Sequence, residues 1–305
     1  MKDIFAIGLD IGGSHITAGV IAVNDMKLLE PSLYKESFDS NLQANQVMDI
    51  WERVIRTSWK NSGIKEFFGI SVCMPGPFDY TNGICWIKGQ TKYEHFYGLD
   101  VRKLIQDRLN LSDDFPVLFE NDADSFGKGE VFKNVENRSK KVMAVTLGTG
   151  LGACFIDKGE AITSGNQVPT DGELYNAPYK ESIAEDYVSA RGLIANYREL
   201  SGVAIASGLE IFDLATAGDV LAIQAFRKLG EDLARIVAPW LKIFEADSFI
   251  IGGKIANASV FFLPFFEEKL KNEGCKVTVS ISSDNEIAAL LGATSLIYKE
   301  YFNEN

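Results

Sequence analysis

Only four cysteines occur in 305 residues, Cys73, Cys85, Cys154 and Cys275. Their scatter excludes a zinc pattern or a disulfide framework, so free thiols in a reducing compartment are expected. No apolar run reaches the roughly 20 residues that a bilayer span requires. A signal peptide is also missing, because the chain enters "IFAIGLDIGG" at once without a small-residue cleavage site. A cytoplasmic protein with no membrane partner is the expectation. Basic residues are in deficit: 30 Lys and Arg against 42 Asp and Glu leave a formal net charge of −12. That balance argues against a nucleic-acid groove, which needs a clustered basic face. It does not forbid a small anion, since oriented backbone N–H groups bind phosphate locally. No Gly-Lys-Ser/Thr stretch is present, which removes the nucleoside-triphosphate P-loop. No low-complexity or linker-like tract interrupts the chain, whose length suits two domains with separate cores.

What is present is a pair of glycine turns between apolar strands. "AIGLDIGGSHITAGVI" reads as strands over 4–9 and 16–23 joined by Gly12, Gly13 and Ser14. A dinucleotide fingerprint would need a third glycine and a following helix. Here "ITAGVIAV" is β-branched and glycine-interrupted, which favours a strand. "VTLGTGLGACFI" repeats the strand–turn–strand pattern around Gly148, Thr149 and Gly150. Each turn alone could be a plain tight hairpin, for which glycine is needed anyway. The pair points to a duplicated domain whose turns hold phosphate, with the Ser14 hydroxyl as an added donor. Asp10 would repel phosphate unless a cation intervened, so it reads as a magnesium-side carboxylate. The other reading is a turn-former bonded to its own backbone.

The remaining pattern alternates strands and helices. Helices are predicted over 44–60, with Val47, Ile50, Trp51, Val54 and Ile55 on one stripe, and over 100–109, capped by Asp100. "FFGISVCMPGPFD" reads as a buried strand broken by a Pro-Gly-Pro turn, and "PVLFENDADSFGKGE" as a strand running into a helix N-terminus. Residues 219–244 are helical, with Pro239 expected to kink or re-start the helix. "SFIIGGKIA" and "KVTVSIS" read as strands before a closing helix over 285–300.

"DIGGSHITAG", "CMPGPFDYTNG", "ENDADSFGKGE", "TLGTGLG", "GEL", "IIGG" and "AALLGA" stand in the order found in the ROK family of sugar kinases and related repressors, which this chain resembles over nearly its whole length. The resemblance implies two actin-like (ribonuclease H-like) α/β domains around a central cleft. The first is expected over 1–119, joined by a C-terminal helix at about 288–305, and the second over 120–287. It also implies ATP-dependent phosphorylation of a hexose or amino-hexose hydroxyl, with ATP and Mg²⁺ as cofactors and a homodimer as the assembly.

By the same resemblance Asp122 is the general base and Asn121 holds a sugar hydroxyl. Phosphoryl transfer asks for such a carboxylate, positioned to accept the hydroxyl proton. Either residue could instead cap the helix that follows, a part Asp124 could also play. Glu173 in "DGELYN" and Glu185 in "AEDYVSARG" match two sugar-binding glutamates. A solvated helix face is the other reading for Glu185. Gly76 in "MPGP" shapes the sugar side, and Gly252 and Gly253 let the backbone approach the nucleotide base.

The chain also departs from the family. Asn176 stands where the family places a histidine, and no cysteine occurs from 155 to 274, so no structural zinc is expected. His15 stands where a lysine is common. "GICWIKGQTKYEHFYGLD" lacks the usual Pro-Asn sugar contact. Either Gln90 or Lys92 takes its place, or the substrate is unusual. The altered pocket also allows a catalytically weak sugar-binding sensor. A repressor is disfavoured, because "DIGG" begins at residue 10 with no helix-turn-helix ahead of it.

Overall fold

The computed structural model describes residues 3–90 and 92–303. Two compact units divide the chain. One holds the residues up to Lys133 together with those from Glu286 onward, and the other holds Asn134–Asn285.

The first unit is built on one mixed sheet. Strands β1 (Phe5–Ile11) and β2 (His15–Ala22) form an antiparallel hairpin whose last pair is Ile11 with Ile16. The short strands β3 (Lys27–Leu28) and β4 (Tyr34–Ser37) both pair with β2. Strand β5 (Ile70–Met74) lies parallel to β1. A small ribbon of β6 (Phe78–Asp79) and β7 (Ile84–Cys85) follows, and β8 (Val117–Asn121) lies parallel to β5. Helices α1 (Ala44–Ser62), α2 (Val101–Leu109) and α3 (Asp122–Lys133) alternate with these strands. The apolar stripe of α1 is buried as its spacing predicts, and Trp51 is sealed against Phe38, Tyr93 and Phe96. Burying one aliphatic side chain of the stripe, such as Val54, stabilises the fold by about 1.5–3 kcal/mol. Asp100 caps α2 by accepting the Lys103 N–H at 2.9 Å.

The second unit repeats the plan. Strands β9 (Lys141–Leu147) and β10 (Leu151–Asp157) form a hairpin closed by the pair Leu147–Leu151. β11 (Glu160–Ala161) extends it on β10, and β12 (Pro178–Tyr179) with β13 (Ser182–Ile183) forms a separate small hairpin. β14 (Ser248–Gly252) lies parallel to β9, and β15 (Thr278–Ile281) parallel to β14. The order β11-β10-β9-β14-β15 therefore matches β3-β2-β1-β5-β8 position by position. Each unit has a three-residue turn at the same place in its first hairpin, as a duplication requires. Helices α4 (Ala190–Ser201), α5 (Gly208–Thr216), α6 (Val220–Phe244) and α7 (Ser259–Asn272) complete the unit. Phe226, Phe244 and Phe262 are fully buried in its core. Helix α6 runs on through Pro239 without re-starting.

The closing helix α8 (Asn285–Asn303) belongs to the first unit from Glu286 onward. The division falls at Lys133/Asn134, not at 119/120, and the return at Glu286 lies close to the expected 288. The cause is α3, which crosses α8 at backbone contact. A Cβ on Gly129 would sit 1.7 Å from the Ala288 carbonyl oxygen, and one on Gly292 would sit 1.7 Å from that of Ser125. Asn121 and Asp122 therefore fold with the first unit. Among the described residues no helix is long and apolar enough to cross a membrane.

Substituting Gly292→Val should force these helices apart at a cost of ~2–3 kcal/mol. A thermal melt should then show Tm lowered by ~5–10 °C; an unchanged melt would refute the close crossing.

Candidate functional site

Parallel pairing sets the first half of the chemistry. Asp10 on β1 is in register with Cys73 on β5, and Cys73 with Glu120 on β8. Three acidic or thiol side chains thus line up across the ends of three neighbouring strands, about 4.8 Å apart per strand. Asp122 follows Glu120 by two residues and opens α3. Cys73 is buried and donates to the Leu9 carbonyl at 3.4 Å and to Asp10 Oδ1 at 3.6 Å. Burial first, and then the charges of Asp10 and Asp122, push its thiol well above the usual cysteine range. It serves as a neutral donor beneath the two aspartates and not as a nucleophile.

The Asp122 side chain opens to solvent while protein packs densely around it. The surrounding protein and then the Asp10 charge raise its pKa, and the Lys92 ammonium partly offsets them. Behind it, Glu120 forms a buried ion pair with Lys128 and accepts from Ser125 Oγ at 3.1 Å. This pair ties the strand end to the next turn of α3 and holds the junction that carries Asp122.

Asn121 is the helix cap. Its Oδ1 accepts the Ala123 N–H at 2.8 Å and its Nδ2 donates to the Tyr80 hydroxyl at 3.2 Å. Tyr80 in turn donates to the Met74 carbonyl. The amide therefore caps the helix, and these bonds use one of its two Nδ2 hydrogens, so capping does not exclude a ligand contact. Asp122 Oδ1 also accepts the Ala123 N–H, at 2.9 Å. Gly76 lies below the same tyrosine, where a methyl group would stand 3.4 Å from its oxygen.

The first glycine turn sits beside these carboxylates. Gly12 N–H bonds the His15 carbonyl at 2.9 Å, and Gly13 and Ser14 are exposed at the apex. The His15 imidazole folds over Gly12, where a Cβ would come within 2.6 Å of it, and Nε2 lies 3.7 Å from Asp10 Oδ2. A Cβ at Gly13 would lie 3.6 Å from the Lys92 stem. Tyr93, fully buried and left-handed at φ 55°, donates its hydroxyl to the Gly12 carbonyl. Nothing in "GQTKYEHFYGLD" marks Tyr93 for this work; only the fold brings it under the turn.

In the second unit Gly148 N–H bonds the Gly150 carbonyl at 3.0 Å, and Thr149 is exposed. Glu185 braces this turn. Its Oε2 accepts the Leu151 N–H at 2.9 Å, Oε1 pairs with Arg191 at 2.8 Å, and a Cβ at Gly150 would lie 2.4 Å from Oε2. It is not a solvated helix face, and each oxygen keeps a lone pair for a further donor. Glu173 is half-buried on the adjoining loop, and the charges of Glu173 and Glu185 both act on Tyr175, whose pKa is raised first by burial and then by them. Asn176 is exposed. Gly252 ends β14, and Gly253 takes φ 85° with its Cβ position only 2.3 Å from the Leu147 carbonyl oxygen. That approach places the "IIGG" bend directly against the root of the second turn.

The model of the ROK family matches residues 6–300. This chain belongs to the ROK family. It is 25% identical to a glucokinase of Thermotoga maritima, over 97% of this chain and 98% of that protein. It is 26% identical to an N-acetyl-D-glucosamine kinase of Haemophilus influenzae, over 82% of this chain and 84% of that protein. A ROK hexokinase from Thermus thermophilus superposes with a TM-score of 0.78 at 20% identity, covering 97% of this chain and all of that one. The α/β class and the two-domain actin-like architecture expected for a ROK protein hold.

Tyr93→Phe should keep the aromatic packing and remove one hydrogen bond, lowering stability by ~0.5–1.5 kcal/mol. Urea unfolding checks this; equal midpoints for both proteins would mean that the hydroxyl does not hold the turn.

Proposed function

We propose that this ROK protein is an ATP-dependent sugar kinase, with Asp122 accepting the proton of the sugar hydroxyl that attacks the terminal phosphate. The observation that carries this reading is the juxtaposition of Asp122, Asp10 and the Gly12–Ser14 turn at one end of the first unit's sheet. The kinases it resembles, named for glucose and N-acetyl-D-glucosamine, favour a hexose or an N-acetylhexosamine.

The donor set fits a magnesium–nucleotide complex. Asp10 offers a carboxylate beside a turn of exposed N–H groups, and among the described residues no three His, Cys, Asp or Glu side chains gather into a metal cage. Magnesium commonly takes one or two carboxylates and completes its shell with water and phosphate oxygens. When bound it neutralises charge on the transferring phosphoryl group. The rest falls to the chain. The turns at Gly12–Ser14 and Gly148–Gly150 present N–H groups to phosphates, His15 lies over the first turn, and Gly252 and Gly253 form the bend assigned to the nucleoside by the family resemblance. Glu173, Glu185 and Asn176 orient sugar hydroxyls, and charged acceptors suit that task. Gly76 is assigned to the sugar by the family resemblance. Asn121 contributes by fixing the first turn of α3, and Lys92 tempers the charge around Asp122. A cytoplasmic homodimer accords with the family.

A second reading, a sugar sensor with little catalysis, draws on the altered pocket, where Asn176 stands in place of the family's histidine and the usual Pro-Asn contact is missing.

Coupled ADP release over a panel of hexoses and N-acetylhexosamines with ATP and Mg²⁺ is the test. Turnover is expected with at least one sugar, and Asp122→Asn should abolish it while leaving sugar binding largely intact. If calorimetry finds a bound sugar and none is turned over, the sensor reading replaces the kinase. The acid limb of kcat/KM should lie above the ordinary aspartate range, since a raised pKa keeps Asp122 protonated to higher pH. Lys92→Met removes the offsetting cation and should move that limb further up; a limb that stays put or falls would remove Lys92 from the site.

A further inference from the structure

The second unit holds one buried carboxylate that this mechanism does not use. Asp232 lies on α6 with its side chain only 3% exposed. An unpaired charge there would be costly, so its partners carry information. Tyr179 Oη donates to Oδ1 at 2.8 Å, the Lys180 ammonium reaches both oxygens at 2.8 Å, and Arg235 adds a bond at 3.1 Å. Glu231 pairs with Arg227 and Arg235, so two carboxylates face three cations in this group.

Two of these partners come from the small β12–β13 hairpin. Its turn residue Lys180 takes a left-handed φ of 49°, which lysine seldom adopts. Its ammonium lies 5.0 Å from the Tyr179 ring centroid and 4.8 Å from that of Tyr187. Tyr187 meets Tyr179 edge-on at 5.1 Å and accepts the Glu181 N–H at its hydroxyl. From the hairpin the chain goes straight into the short turn Ala184–Asp186. Ala184 N–H bonds the Ala177 carbonyl at 2.8 Å, and Glu185 N–H bonds that of Tyr175 at 3.1 Å. The segment carrying Glu173, Tyr175, Asn176 and Glu185 is therefore pinned near its middle to α6, through Asp232.

We propose that Asp232 is a positioning residue that, through Tyr179 and Lys180, fixes the loop bearing Glu173 and Glu185 and thereby sets affinity for the sugar. The role rests on the sugar-kinase reading for its substrate but on the hairpin geometry for its mechanism. The second glycine turn keeps two backbone bonds that do not pass through the hairpin, Gly148 N–H to Gly150 and Ala190 N–H to Gly148. Loosening the hairpin should therefore weaken sugar binding more than nucleotide binding.

The test compares Lys180→Met, which keeps the stem of a half-exposed side chain, with Asp232→Asn and with Lys180→Arg as the conservative rescue. With the sugar that the panel identifies, Lys180→Met should raise sugar KM by ~2- to 5-fold, a range set by one partly exposed ion pair. ATP KM and kcat should stay within about twofold, and Lys180→Arg should recover most of the loss. Hydrogen exchange of amides 175–187 should quicken in Lys180→Met while the α6 amides stay protected. Sugar KM unchanged with exchange quickened, or both KM values rising together, would overturn the positioning role. If no sugar is turned over by the parent protein, the kinase reading fails on its own, and unchanged exchange in Lys180→Met would separately overturn the clamp. Asp232→Asn needs no activity to be informative: combined with Lys180→Met it should add little to the exchange change of either variant, and full additivity would show that the two do not act together.

Discussion

The register of β1, β5 and β8 is the constraint on which the first unit depends. Parallel pairing leaves the three strands ending together, so Asp10, Cys73 and Glu120 share one line across the sheet. A slip of one residue would turn each side chain to the opposite face. The buried runs of β1 and β5 prevent it, because Ile7, Leu9, Val72 and Met74 have no exposed position they could exchange into without loss. Apolar burial along the strands thus fixes where the charge at their ends can be.

That charge has to be tolerated before it can be used. Like charges at strand ends repel, and partial burial raises the penalty. The structure relieves it with a different device at each carboxylate. Glu120 is neutralised by Lys128, Asp10 receives a thiol hydrogen bond from Cys73, and Asp122 keeps solvent access with Lys92 nearby. The unequal treatment separates their roles. A carboxylate locked in an ion pair holds the scaffold, and one with a raised pKa and an open side is suited to exchange a proton.

The hairpins, their glycine turns, the capped helix α2 and the buried stripe of α1 were legible because each is written in a local pattern of period two, period 3.6 or punctuation. The duplication was legible for the same reason, since both turns interrupt similar apolar strands. The boundary at Lys133 was not. It is set by one glycine on α3 and one on α8, each meeting the backbone of the other helix, a contact between residues far apart in sequence that no window can register. Tyr93 and Asp232 were hidden likewise, because a tyrosine in a polar loop and an aspartate in an amphipathic helix look ordinary until the fold supplies their partners. Asn121 shows the converse limit: its motif was visible, yet the hydrogen bond that its amide makes to Tyr80 comes from another loop.

The crossing of α3 and α8 has a consequence for how the molecule is made. The helix that locks the neighbourhood of Asp122 is translated only after all of Asn134–Asn285. On the ribosome the second unit can therefore finish first, although it begins later, while the first waits with its inter-helix groove uncovered. Chains caught at that stage expose apolar surface, and their dependence on chaperones should be greatest there.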